Sequence, residues 1–286
     1  PSAVTPRCTV AVAMLALGMV PLSFSTSTAD AKQRLKGAFG SDAAVELLAC
    51  PTTKSVLRCE QSVLGGQARR CLTSSETGAR YPAAGAYYDL LPSASTTIGL
   101  DGLAAELREA LQVDMQTQFF RTPAMAFLYE RGWRQNFNAA GFPGIDKEFA
   151  EAAEFFAPCA DGGVVVDLSC GSGLMTRRLC ASGRYRRVLG LDYSEAMLRE
   201  TSRRFDTEGA PRDALTLVRA DAAQLPLQDG AVDALHAGAA LHCWPRLEQS
   251  LAEVHRVLQP GGRFYATTFF AGALGAGGGG GGGGGG

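Results

Sequence analysis

The chain has 286 residues, 46% hydrophobic and 19% charged, which is enough apolar content to bury a core over about two domain lengths. Its formal net charge is −1, a balance from which no broad basic surface follows, so nucleic acid is not expected as a partner. The eight cysteines (Cys8, Cys50, Cys59, Cys71, Cys159, Cys170, Cys180 and Cys243) form no Cys-x-x-Cys pair, which argues against a disulfide framework and for reduced, buried thiols.

Residues 1–31 read as a targeting segment. Arg7 is the sole charge before Asp30, an apolar run covers residues 10–20, and a Ser/Thr-rich stretch leads to the small residues Ala29 and Ala31. Pro21 and Ser23 break the run short of the roughly 20 residues a membrane span needs. Residues 38–92 are rich in Gly, Ser and Thr and are expected to hold small strands and turns. From residue 100 the pattern turns helical. Leu100, Leu103, Ala104, Leu107 and Leu111 share one face, a second helix follows Pro123, and a third is predicted over residues 147–156, ended by Pro158.

An alternation of strands and helices follows. Strands are predicted over 164–168, 187–191, 215–219, 232–237 and 263–269, and helices over 174–181, 194–205 (capped by Ser194) and 247–258. Strands separated by helix-length crossovers imply an α/β fold with a parallel sheet. The all-glycine tail, residues 277–286, has no side chains to pack and is expected to stay disordered.

The segment Val164–Gly173, VVVDLSCGSG, runs a buried strand into a small-residue turn that opens a helix. Gly171 and Gly173 can adopt backbone angles closed to other residues and admit a ligand close to the main chain. A dinucleotide would require GxGxxG, but Thr176 stands at the third glycine position, and Asp167 is a poor neighbour for pyrophosphate. Asp167 is a good neighbour for a cation, which favours S-adenosylmethionine, with its ammonium and sulfonium and no phosphate. Asp192 ends the next strand about 20 residues on, where an acid accepts from ribose hydroxyls, and Asp221 ends the third, placed for an adenine amino group.

The stretch RADAAQLPL (residues 219–227), followed by Val232-Asp233-Ala234, resembles the class I methyltransferases of ubiquinone and menaquinone biosynthesis. A closer likeness, to the methyltransferase-like plastid proteins of plants and algae, lies in YERGWRQNFN (129–138), GFPG (141–144) and HAGAALHCWP (236–245). It covers about residues 50–270. It implies a Rossmann-like class I methyltransferase sheet over residues 160–272, preceded by a small degenerate zinc-ribbon-like region (38–92) and helices (100–157) that serve as a lid. It further implies S-adenosylmethionine as cofactor, held by Asp167, Ser169, Cys170, Gly171, Gly173, Asp192, Tyr193, Asp221, Ala222 and Gly238. It implies a small-molecule methyl acceptor of quinone or prenyl-lipid character, a plastid location and peripheral association with plastid lipid.

Two departures bear on these expectations. Cys50 and Cys71 keep the first cysteine of each of the family's two Cys-x-x-Cys pairs, while Thr53 and Ser74 replace the second, so no bound metal is expected. The family fold continues past its fifth strand with a helix and a hairpin that this chain lacks, so an open sheet edge is expected there. His242, just beyond the fourth strand, is the candidate general base. His236 reads as a core residue and His255 as structural. Tyr129, Trp133, Arg134 and Phe137 are candidates to line an acceptor pocket. The competing reading is a non-catalytic S-adenosylmethionine-binding or scaffold protein of plastid lipid bodies, and a nicotinamide oxidoreductase ranks third.

Overall fold

The computed structural model describes residues 7–14, 22–25, 45–64, 67–83, 86–94 and 144–268. The helices expected over residues 100–133, the four pocket-lining candidates and the polyglycine tail lie outside the described residues. In chain order the strands are β1 (Arg7–Met14), β2 (Leu22–Ser25), β3 (Leu57–Leu64), β4 (Gln67–Ser74), β5 (Arg80–Pro82), β6 (Tyr88–Asp89), β7 (Val164–Leu168), β8 (Arg187–Asp192), β9 (Leu215–Arg219), β10 (Val232–Ala237) and β11 (Leu258–Thr268). The helices are α1 (Ile145–Ala160), α2 (Leu174–Ala181), α3 (Glu195–Glu208) and α4 (Leu247–Val257).

The main sheet runs in the order β2-β1-β11-β10-β7-β8-β9-β6. From β1 to β6 every neighbouring pair is parallel, and β2 alone is antiparallel. The chain builds outward from β7 through β8 to β9, then returns to place β10 on the other side of β7. That reversal is a topological switch point, and open α/β sheets bind ligands in the crevice it leaves at the carboxyl ends of the strands. The α/β class expected from the alternating pattern is the observed one.

Alternating side chains divide the sheet between two cores. Val165, Val188, Ala234 and Tyr265 face Ala152, Phe156 and Ala160 of α1, Met175 and Leu179 of α2, and Phe205 of α3. Val164, Val166, Leu189, Leu191, Leu235 and Phe264 face Val254 and Val257 of α4. Burying a side chain such as Phe156 or Phe264 contributes about 1.5–3 kcal/mol. Ser194 caps α3 by accepting from the Met197 amide, and Gly209 ends it in the left-handed region at φ 67.

The region 45–94 is not separate from this body. β3, β4 and β5 form a three-stranded antiparallel sheet, and Leu47, Leu48, Leu57, Leu72, Tyr81 and Leu90 belong to the same core as α4 and one sheet face. Main-chain bonds stitch residues 47–49 to 226–228, and Lys54 Nζ reaches Glu253 (2.8 Å) and the Leu225 carbonyl (3.1 Å). β6 then enters the main sheet beside β9, where Asp89 pairs with Arg219 at 3.0 Å.

Two expectations need correction. The edge beyond β11 is paired, because β1 lies parallel to it from Thr9↔Arg263 to Met14↔Thr268. An apolar, β-prone run thus satisfies the row of main-chain groups that the edge presents. Pro158 does not end the preceding helix, since α1 continues to Ala160 with Pro158 inside it. At the last turn a proline removes one hydrogen bond, and the fully buried Phe156 and Ala160 keep that turn packed against the sheet.

Candidate active site

The glycine loop between β7 and α2 is held from three directions. Ser169 and Gly171 both sit in the left-handed region, at φ 59 and 56, and Gly173 caps α2 at φ 79. The Gly171 amide donates to Asp192 Oδ2 at 2.8 Å, the Thr201 hydroxyl of α3 donates to the Gly171 carbonyl at 2.7 Å, and Arg177 Nη1 donates to the Ser172 carbonyl at 2.7 Å. The Trp244 indole N–H donates to Ser169 Oγ at 3.0 Å, fastening the segment after β10 to the loop after β7. Cys170 is buried within the loop, and its thiol is pushed well above its ordinary pKa by burial and by the nearby Asp192 and Asp167. Ser172 Oγ is fully buried and has no hydrogen-bond partner in the protein, an orphaned polar atom inside the loop.

Asp192, at the end of β8, accepts from the Gly171 amide through one oxygen and from the Ser194 amide through the other, each at 2.8 Å. Burial raises its pKa to about 6, against the lowering effect of those two amides. Each oxygen keeps a lone pair beyond the bond it accepts. Tyr193 follows, with its carbonyl bound by Arg219 Nε at 3.1 Å and its ring 5.9 Å from the Arg219 guanidinium carbon. Asp221 caps the 3-10 turn of residues 222–224 by accepting from the Ala223 amide at 2.8 Å, and its other oxygen pairs with Arg246 at 2.5 Å. Ala222 lies in that turn, half-buried.

The carboxyl edges are tied to one another. The Cys170 amide donates to the Leu191 carbonyl and the Ala220 amide to the Asp192 carbonyl, each at 3.0 Å. The loops after β7, β8 and β9 therefore form one continuous rim. After β10, Gly238 and Ala239 turn the chain, with Ala239 at φ 51 and its amide donating to Thr267 Oγ1 at 2.7 Å. Non-glycine residues in the left-handed region are rare, and two of the three among the described residues, Ser169 and Ala239, flank the crevice between β7 and β10. His242 lies on the same rim, its Nδ1 part-buried and 3.3 Å from Thr268 Oγ1; desolvation holds its pKa below the ordinary histidine value.

Asp167 stands apart from this rim. It is buried at the end of β7, with Oδ2 accepting from the Thr176 hydroxyl at 2.5 Å and Oδ1 facing His236 Nδ1 at 2.8 Å. Both of its oxygens are thus taken up by side chains of the protein, not by the loop's amides. The sequence reading also missed Arg246 over Asp221 and Arg219 under Tyr193. No short-range pattern marks either one, since the Arg219–Asp89 pair spans 130 positions. At the small sheet, Cys50 Sγ lies 3.3 Å from the Tyr81 hydroxyl, and Thr53 and Ser74 are linked through the Ser55 hydroxyl at 2.8 and 2.9 Å. Among the described residues no group of three or more His, Cys, Asp or Glu is placed to hold a metal ion.

Residues 166–266, which include the strands that build this rim, match the family described as "Methyltransferase domain". One uncharacterized chloroplastic methyltransferase of Arabidopsis thaliana is 51% identical over 155 residues, covering 54% of this chain and 44% of that protein. A second from the same plant is 48% identical over 176 residues, covering 61% and 49%. The 2-phytyl-1,4-naphtoquinone methyltransferase of Nostoc punctiforme is 34% identical over 124 residues, covering 42% and 52%. The chain thus spans about half the length of the curated relatives it matches.

Proposed function

We propose that this chain forms the catalytic core of an S-adenosylmethionine-dependent methyltransferase. Its acceptor is a small molecule of quinone or prenyl-lipid character, and it acts in the plastid. The observation that carries the reading is Asp192. It is a carboxylate held by two main-chain amides, one of them from the glycine loop, with lone pairs left to accept ribose hydroxyls. The donor set fits an uncharged nucleoside carrying a cation. The guanidinium groups at this edge are already paired, Arg246 with Asp221, Arg219 with Asp89 and Arg177 with Glu208, and a carboxylate under the glycine loop disfavours pyrophosphate. The orphaned Ser172 hydroxyl fits a site with a polar ligand still to be bound.

S-adenosylmethionine supplies an electrophilic methyl group. The residues of this chain bind and orient. Gly171 lets a ligand approach the main chain, Gly173 leaves the room that Thr201 of α3 fills against the loop, Asp192 and Asp221 would hold the adenosine, and the Trp244–Ser169 bond fixes the crevice between β7 and β10. Positioning of this kind accounts for much of the rate in a displacement at an activated carbon. His242 takes the proton of the acceptor, and its lowered pKa keeps the imidazole neutral and able to accept it near pH 7. The naphthoquinone relative supports a quinone or prenyl-lipid acceptor, the two Arabidopsis proteins support the plastid location, and an acceptor of that character would bring peripheral contact with plastid lipid. Among the described residues no helix is long and apolar enough to cross a membrane.

Isothermal titration with S-adenosylmethionine, with NADH as control, tests the binding reading, and methyl transfer to demethylated naphthoquinones tests the acceptor. Binding of NADH in place of S-adenosylmethionine would refute it. Binding without transfer to any acceptor would favour the scaffold reading.

A further inference from the structure

Beneath the glycine loop lies a buried charged cluster whose members come from five elements. His236 of β10 is 1% exposed. Its Nδ1 lies 2.8 Å from Asp167 Oδ1 of β7 and its Nε2 lies 3.1 Å from Glu148 Oε1 of α1. A neutral imidazole has one N–H and one bare lone pair, so one of these contacts would set a lone pair against a carboxylate. A ring protonated on both nitrogens satisfies both. Each carboxylate also accepts from a hydroxyl, as Thr176 of α2 donates to Asp167 Oδ2 at 2.5 Å and Thr267 of β11 donates to Glu148 Oε1 at 3.1 Å. Thr267 Oγ1 in turn accepts from the Ala239 amide at 2.7 Å.

The hydrogen bonds therefore run in one direction of logic, every acceptor facing a donor. Their two ends are informative. Thr176 lies in the first turn of α2, directly after Gly173, and Ala239 is the left-handed residue of the turn after β10. These are the two backbones that border the switch-point crevice. Glu148, which joins them to α1, lies outside the matched residues 166–266.

We propose that Glu148 and His236 are positioning residues for the cofactor loop, an ion pair through which helix α1 sets the backbone on both sides of the crevice. This deepens the methyltransferase reading and rests on it for the identity of the ligand. Burial alone would drive His236 to its neutral form, but the hydrogen bonds to Asp167 and Glu148 outweigh it and raise the pKa to about 9. The tyrosine and the two cysteines near the ring are shifted away from pH 9. Tyr265 stacks on it at 6.0 Å, donates to Glu151 and is pushed up by burial. Burial raises Cys170 well above its ordinary value and Cys180 to about 12, and Asp192, beyond Asp167, titrates at about 6.

The sign follows from these values. The pair is intact below the ordinary histidine pKa and is lost as pH rises through about 9. Three measurements on the full chain test the proposal. The first is nitrogen-15 NMR of labelled histidine, where one ring is expected to be protonated on both nitrogens at pH 8, to titrate near pH 9, and to vanish in His236→Asn. The second is amide hydrogen exchange, expected to speed up at Thr176 and Ala239 in Glu148→Gln. The third is S-adenosylhomocysteine affinity at pH 7.5 and 9.5. Wild type is expected to weaken between the two, while Glu148→Gln is about ten-fold weaker at the lower pH and shows a smaller fall. The ligand's amine titrates identically in both proteins, so the difference belongs to the protein.

A single neutral tautomer at pH 8 overturns the proposal, and so do unchanged exchange at both amides or an unchanged affinity profile. Should Glu148→Gln fail to fold, Thr267→Val keeps both charges and cuts the link to Ala239; exchange at Ala239 as slow as in wild type would then be the refuting result. NMR and exchange need no ligand. A wild type that binds neither S-adenosylmethionine nor its product therefore sinks the methyltransferase reading while the pairing is still judged on its own.

Discussion

Gly173→Ala offers a test in which two physical costs can be separated. The residue sits at φ 79, ψ 24, where a side chain costs about 1–2 kcal/mol. A Cβ built there would lie 2.5 Å from Thr201 Cγ2 and 3.1 Å from Thr201 Oγ1. Thr201 cannot swing away cheaply, because it is fully buried and its hydroxyl holds the Gly171 carbonyl at 2.7 Å. Overpacking of this kind costs about 1–3 kcal/mol, so the alanine variant is expected to lose about 2–5 kcal/mol in all. Thr201→Ser removes Cγ2, the atom in closest conflict, and keeps the hydroxyl. On its own it costs about 1 kcal/mol for the deleted methyl. The double variant should therefore be more stable than the two single losses added together, by about 1–3 kcal/mol, leaving chiefly the backbone cost. Urea unfolding followed by far-ultraviolet circular dichroism measures all four proteins, with shifts in midpoint at constant slope as the readout. Losses that add to within about 0.5 kcal/mol would refute the steric argument and leave backbone conformation as the whole effect.

Asp192→Asn should weaken S-adenosylmethionine binding about 10- to 100-fold at neutral pH, since it replaces a charged acceptor. In wild type the affinity is expected to fall as pH drops below about 6, where Asp192 takes a proton; an acid limb that persists in the variant would assign that titration elsewhere. The raised pKa also means that this group favours folding most below its ordinary value and loses that contribution as pH climbs through about 6. Leu48→Ala, at a fully buried position in the core shared by the small sheet and α4, should cost about 2–5 kcal/mol and lower one cooperative transition. Two separable melting steps in calorimetry would show that the small sheet unfolds independently. Ser169→Ala, which leaves the Trp244 indole N–H without its acceptor, should destabilise by about 1–3 kcal/mol, and a variant melting as wild type would exclude that bond as a fastener of the crevice.

Much of the fold is legible in local pattern. Val164–Leu168, Leu174–Ala181, Leu215–Arg219 and Val232–Ala237 begin and end where apolar runs, turn residues and helical spacing set them. Ser194 is recognisable as a cap and serves as one. Other features escape such reading. Pro158 looks like a terminator, yet packing carries the helix past it. Tyr88-Asp89 is too short to read as a strand and becomes one only because β9 offers an edge. At the site, the glycine loop and the acids at three strand ends are visible in sequence. Their roles are not, because Asp192 grips the loop through main-chain amides and Arg246 covers Asp221.

Residue type and spacing along the chain were enough for the α/β alternation and for the glycine loop and acids at the strand ends, because these depend on strands, turns and charges a few positions apart. The pairing of β1 with β11, the merging of residues 45–94 into the common core, and the conversion of His236 from a core residue into a charged link between Asp167 and Glu148 arise on folding. They depend on groups 69, 88 or more positions apart meeting where water is excluded, and a buried charge can persist only where partners of opposite sign surround it.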